Sequence, residues 1–213
     1  MARRRTATPY TLVRIQLDTP FYERSDNMND SKSVLAGFLI GFAALLSCSI
    51  TNSYLAALFF SIGLLYIRIC KLYLYTGQIQ NVKNGSCSLV KLLSILVRNI
   101  QGVSLAMFLL LIFQRYDILE AYDIVQSNKW IYPWYHYLGS GIGCGILMTI
   151  ATKKETPLWV SSLCVVAFII AGFNHSIADW FYVDLKQIHL WLCVVLGNFI
   201  GGYIVAIRRE DEV

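Results

Sequence analysis

Six apolar runs of membrane-spanning length, set close together, leave this chain few ways to fold. Taking about 20 mostly apolar residues as one helical crossing, the runs fall at 33–50, 54–75, 89–113, 134–152, 157–179 and 187–207 of the 213 residues. Charge is confined to the short stretches between them, and a mean hydropathy of +0.54 follows from that arrangement. The expected product is an all-α membrane domain over 33–207, with a polar tail 1–32 before it and a short segment 208–213 after it. No soluble domain of useful size is expected outside the spans.

Orientation follows from Lys and Arg, which favour the cytoplasmic side. With the N-terminus inside, the inner segments hold Arg3, Arg4, Arg5, Arg14, Arg24, Lys32, Lys83, Lys91, Lys153, Lys154, Arg208 and Arg209. The outer segments hold Arg115, Lys129 and Lys186. Both termini are therefore expected in the cytoplasm. The net charge of +5 reports this bias, so the "ARRR" start is not read as a nucleic-acid site. No apolar stretch follows those arginines until residue 34, which makes a cleaved signal peptide a poor reading.

The six cysteines lie one per segment, without a C-x-x-C pair or a His partner. They are expected to pack helices, with no disulfide framework, metal site or cofactor. His175 and Asp179 are spaced i, i+4 and could form an acid/base couple or metal pair. Two ligands are too few for a metal, and no companion cluster exists in the other spans, so an enzyme is not expected.

A six-span chain invites a test for duplication. Thr76 lies 23 residues before Asn99, and His175 lies 23 before Asn198; Gly102 and Gly201 extend the match, so three pairs share an offset of 99. Spans 1 and 4 each open on glycines four apart, Gly37 and Gly41, Gly139 and Gly143. Three spans per half, an odd number, force the halves to insert in opposite senses. An inverted 3+3 repeat with a two-fold axis in the membrane plane is the expectation. Within each half the second span is interrupted, at "LYTGQIQNVKNGSCS" and at "AGFNHSIADW". Broken backbone at membrane depth is tolerated only when buried in protein or lining a cavity. The two breaks are expected to meet near the midplane, with half-helix N–H groups facing an anion. Asn99 and Asn198 are expected to hold the broken segments.

The motifs "LAGFLIGFAA" (35–44), "LYTGQ" (74–78), "RNIQGV" (98–103), "GIGCGILM" (141–148), "GFNHSIADWF" (172–181) and "GNFIGG" (197–202), in that order, resemble those of the formate/nitrite transporter family over about 33–207. The resemblance implies an aquaporin-like fold of six helices, two of them broken, in a homopentamer with one pore per subunit. It implies passage of small monovalent weak-acid anions, such as formate, nitrite or hydrosulfide, together with protons, across the cell (inner) membrane and among its lipids. Carried over, Thr76 is the loop threonine beside the central histidine His175, and Tyr75 stands where a constriction phenylalanine is usual. Phe173, Asn174, Asn99 and Asn198 complete the expected pore set. Lys129 sits at the outer approach to span 4, where the family often has a lysine; it could help recruit anions or equally be a snorkelling surface lysine.

Four departures accompany the match. Tyr73 and Asn174 replace acidic residues, Gly145 replaces an asparagine, and Asp179 stands where the family has asparagine. Arg68 and Lys71, just before the first break, could attract anions but are expected instead to pair with an acid such as Asp179, since a buried unpaired cation is costly. His136 and His189, among Trp and Tyr, are expected at the membrane interface. An imidazole, with an ordinary pKa of about 6.5, suits a proton-linked pore, and His175 is the expected carrier. The alternative is an aquaporin-like channel for neutral solutes such as water or ammonia.

Overall fold

The computed structural model describes residues 30–113 and 116–206. Most of the tail, Arg115 and the C-terminal arginines, on which part of the expected orientation rests, lie outside the described residues. In chain order the helices are α1 (Asp30–Cys48), α2 (Ser53–Ile69), α3 (Tyr75–Lys83), α4 (Leu89–Phe113), α5 (Tyr116–Lys129), α6 (Trp134–Thr152), α7 (Leu158–Ile170), the single turn α8 (Ser176–Asp179) and α9 (Ile188–Val205). Short 3-10 turns at Trp180–Tyr182 and Leu185–Gln187 join the last two.

Among the described residues, three stretches, Asp30–Cys48, Leu89–Ile112 and Leu185–Val205, are long and apolar enough to cross a membrane. The other expected spans correspond to α2 with α3, to α6, and to α7 with α8. Their outward faces are apolar: Leu55, Leu58, Phe59 and Ile62 of α2 are all exposed, at the i, i+3, i+4, i+7 spacing of one helix face. A helix that turns its Leu and Phe outward is built for a lipid solvent, because in water such a patch would associate.

Two tight helix pairs, α1 with α4 and α6 with α9, frame the molecule. Small residues set their approach. A Cβ on Gly37 would lie 1.9 Å from the carbonyl oxygen of Asn99, and one on Gly145 would lie 2.3 Å from that of Asn198. These crossings correct the expected glycine pairing. Gly145, not Gly139 or Gly143, does in α6 what Gly37 does in α1; Gly139 faces open space, and Gly143 makes room for the ring of Phe173.

A second correction concerns 116–129, expected as outer loop, which is the helix α5. Its composition, YDILEAYDIVQSNK, is too polar for a membrane crossing, yet it packs on α1 and on the turn Trp180–Tyr182.

Both interrupted spans end in the same way. At the end of α2, Lys71 has φ 51°, with Lys71 N–H donating to Arg68 O (3.2 Å) and Leu72 N–H to Ile67 O (2.9 Å). At the end of α7, Gly172 has φ 70°, with Gly172 N–H donating to Ile169 O (3.0 Å) and Phe173 N–H to Phe168 O (2.9 Å). This is the left-handed stop that closes a helix while using its last carbonyls. The interruptions therefore span 70–74 and 171–175, earlier than the motifs suggested. Thr76 and Gly77 lie in the first turn of α3, and Ser176 and Asp179 are helical in α8.

Candidate functional site

The chain leaves helix at two places inside the protein, and each place needs partners for its stranded backbone groups. One asparagine supplies them each time. Asn99 accepts from Tyr75 N–H (2.8 Å) and donates to Tyr73 O (2.9 Å) and Ser33 O (2.7 Å). Asn198 accepts from Ser176 N–H (2.9 Å) and donates to Asn174 O (2.9 Å) and Gly141 O (2.9 Å). Only a primary amide carries an acceptor and two donors on so short a stem, and both side chains are fully buried.

These bonds fix a register that differs from the sequence offset of 99. Tyr73 and Tyr75 take the places of Asn174 and Ser176, an offset of 101, so the structural counterpart of His175 is Leu74. Thr76 and His175 are not counterparts. They are neighbours, with Thr76 Oγ1 and His175 Nε2 3.0 Å apart and both residues buried.

His175 caps α8: its Nδ1 accepts the N–H of Ala178 at 3.1 Å. An N–H pointing at Nδ1 requires a lone pair there, so the neutral ring carries its proton on Nε2 and offers it to Thr76. Phe168 stacks beside the ring at 5.7 Å between centroids. A proton added at Nδ1 would set donor against donor and undo the cap, a geometric cost to the expected proton role of His175. The expected helix N-termini are also largely engaged, since the amides of Tyr75, Ser176 and Ala178 already have partners. One turn such as α8 sums too few peptide dipoles to matter.

Next to the histidine lies an ion pair whose acid is buried and whose lysine is partly exposed. Lys129, the last residue of α5, places Nζ 2.9 Å from Asp179 Oδ1, with side-chain exposures of 20% and 6%, and donates to Asn174 Oδ1 at 3.1 Å. The rings of Trp130 and Tyr182 flank the ammonium, each 5.9 Å from centroid to Nζ. Asn174 in turn donates to Ser140 Oγ at 2.6 Å. Removing Lys129 costs about 3–5 kcal/mol, because Asp179 is then left charged and buried. The two departures flanking His175 are thus the two side chains that hold Lys129: the acid stands at 179 and the amide at 174. Ser140 and Asp179 were absent from the expected pore set; a serine and an aspartate in otherwise apolar helices were the available signal.

Asp179 is therefore not the partner of Arg68. Arg68 donates to the hydroxyl of Ser161 and, at 2.7 Å, to the carbonyl of Lys153, tying α2 to α7 and the α6–α7 connection. Lys71 is exposed and acts as the left-handed stop already described. Tyr75 is buried, its hydroxyl donating to Val195 O of α9 at 3.3 Å. Phe173 lies half-buried on α6 over Gly143. His136 and His189 are exposed, away from the breaks, with His136 stacked on Tyr132. The structure thus pairs Thr76 with His175 and Lys129 with Asn174, splints the two breaks through Asn99 and Asn198, and engages Arg68 and Lys71 elsewhere.

An apolar-faced helical domain with two broken helices meeting over a buried threonine and histidine is the build of a membrane transport protein. A model of the formate/nitrite transporter family matches residues 31–208, and the chain belongs to that family, one of channels and transporters rather than enzymes. Among solved structures, a pentameric formate channel with formate bound superposes with a TM-score of 0.69 at 19% identity, over 81% of this chain and 91% of that one. An FNT family ion channel gives 0.69 at 21% identity, over 82% and 85%. No curated protein sequence matches.

Proposed function

We propose that this chain forms a proton-linked pore for small monovalent anions of weak acids, in the formate, nitrite or hydrosulfide class, as a homopentamer with one pathway per subunit. The observation that carries the reading is the buried Thr76–His175 contact, 3.0 Å long, joining the two breaks of a chain in the formate/nitrite transporter family. The pentamer rests on the formate channel neighbour. An inverted 3+3 arrangement of six spans is supported by the recurrence of the same helix stop and the same asparagine bonds in each half. With it go a membrane domain over 33–207, cytoplasmic termini and a place in the cell (inner) membrane.

A bare anion cannot enter an apolar constriction cheaply, since desolvating an isolated charge costs many kcal/mol. The Thr76 hydroxyl and the His175 Nε2–H are neutral donors that replace part of its water. Lys129 stands at the approach, on the more exposed side of its ion pair, where it draws anions in. Tyr75 and Phe173 supply the apolar walls.

One observation favours a second reading. Lys129 is neutralised by Asp179, so the site as a whole is uncharged and suits a neutral solute such as water or ammonia. Stopped-flow swelling of proteoliposomes in formate, nitrite, hydrosulfide, glycerol and ammonium salts separates the two. The anion reading predicts swelling in weak-acid salts and none in glycerol; swelling in ammonium alone supports the rival.

A further inference from the structure

The charge count beside His175 constrains where a proton can go. Lys129 and Asp179 together sum to zero in a buried setting, with exposures of 20% and 6%. An anion arriving at Lys129 makes that sum −1, and a buried net charge is strongly disfavoured. One proton restores neutrality, and the carboxylate itself has one oxygen free to take it. Oδ1 of Asp179 is held by Lys129, whereas Oδ2 is buried and without a hydrogen-bond partner among the described residues. His175 is less suited, because Nδ1 is spent on Ala178 N–H and Nε2 faces Thr76.

The titratable groups around the carboxylate are few. Lys129 comes from α5, Tyr137 and Cys144 from α6, Tyr182 from the 3-10 turn, and Cys48 from α1 through its 3.2 Å contact with Tyr182. His175 lies on the same turn as Asp179, whose N–H it accepts through its carbonyl. Of the other helices packed on α8, α4 carries Lys91 and Arg98 toward its start, the latter paired with Asp30, and α9 carries His189, Cys193 and Tyr203.

We propose that Asp179, not His175, receives the proton that accompanies each anion. The anion A⁻ enters from solution, and a proton is taken from hydronium, which leaves as water. A⁻ replaces the Asp179 carboxylate on Lys129 Nζ, and the proton forms an O–H bond at Oδ2. On exit the proton returns to A⁻ and the Lys129–Asp179 pair closes again. Asp179 is thus a tethered carboxylate that competes with the permeant for one lysine and sets one proton per anion. This inference rests on the weak-acid reading of the pore.

The test is formate uptake and proton entry, read with an internal pH dye, in vesicles holding the full-length protein, after subtraction of protein-free vesicles, from pH 5 to 8. Wild type is expected to take up one proton per formate, with uptake falling about tenfold per pH unit on the alkaline side. Asp179→Asn should flatten that dependence to less than about twofold across the range, and its formate uptake should become sensitive to membrane potential. His175→Gln should conduct less but keep the wild-type slope. The reversed pair Asn174→Asp with Asp179→Asn, which puts the carboxyl on the other side of Lys129, should restore the slope, and it decides the matter if Asp179→Asn alone fails to assemble. A retained slope in Asp179→Asn, a flat His175→Gln, or a conducting but flat reversed pair overturns the proposal. A wild type that passes no formate overturns the weak-acid reading itself.

Discussion

At 70–74 and at 171–175 the backbone performs the same manoeuvre, yet the two breaks carry different chemistry. In each, the second residue, Lys71 or Gly172, is left-handed and closes a helix, and each is spanned by one buried asparagine making three hydrogen bonds. The first break is followed by nine helical residues, whose last, Lys83, reaches the end of α9 at Tyr203 O (3.0 Å). The second is followed by a single turn, held by Asn198, by the His175 cap and by Trp191 Nε1, which donates to Ser176 O at 2.7 Å. The first break brings a threonine and a tyrosine to the interior; the second brings the histidine and the acid that holds Lys129. The backbone device is generic, then, and the side chains mounted on it assign the roles. The half with less helix of its own depends more on its splint.

That dependence can be broken directly. Asn198→Ala leaves Ser176 N–H and two carbonyls short of a partner, and at about 1–3 kcal/mol per buried unsatisfied group the loss should be about 4 kcal/mol. Asn99→Ala should cost less, about 3 kcal/mol, because α3 keeps its own ladder. Thermal midpoints of the detergent-solubilised protein should rank Asn198→Ala below Asn99→Ala below wild type, and the reverse order would refute the asymmetry. Next come the crossings that place the asparagines. Gly37→Ala and Gly145→Ala each drive a Cβ into a carbonyl oxygen and should destabilise by about 2–3 kcal/mol, seen as loss of monodisperse protein on size exclusion.

Smaller effects sharpen the comparison at the helix stops. Gly172→Ala meets nothing within 4 Å, so its cost is the left-handed backbone alone, about 1 kcal/mol. Lys71→Gly should act in the opposite sense and stabilise by about 1 kcal/mol; opposite shifts in thermal midpoint check both. Smallest is Arg98→Gln. The Arg98–Asp30 pair, 2.7 Å long, ties α1 to α4 at half-exposed positions and should contribute no more than about 1 kcal/mol, within reach of a denaturant series.

Three of the expected spans were legible because the lipid solvent imposes long apolar runs, and the motifs carried the family. The breaks were legible as to existence but not position: Thr76-Gly77 and Ser176-Asp179 look like helix breakers, yet the stops are set by Lys71 and Gly172, and a lysine at a left-handed position gives no warning in sequence. The offset of 99 was real for Asn99 and Asn198, but the segments before them differ in length by two residues, so linear matching paired Thr76 with its neighbour instead of its counterpart. The ion pair was hidden for another reason. Lys129 and Asp179 are fifty residues apart, and the helix that delivers Lys129 is polar enough to pass for a loop.

In the proposed pore, permeation runs past the buried contact between the two breaks. Radiolabelled formate uptake into vesicles carrying Thr76→Val tests it most directly, since valine keeps the threonine's shape and removes only the hydroxyl that faces His175. With assembly unchanged on size exclusion, uptake should fall by about tenfold or more, the loss of a hydrogen bond of about 1.5 kcal/mol to a desolvated anion. Uptake within about twofold of wild type, a difference of less than about 0.5 kcal/mol, would contradict it.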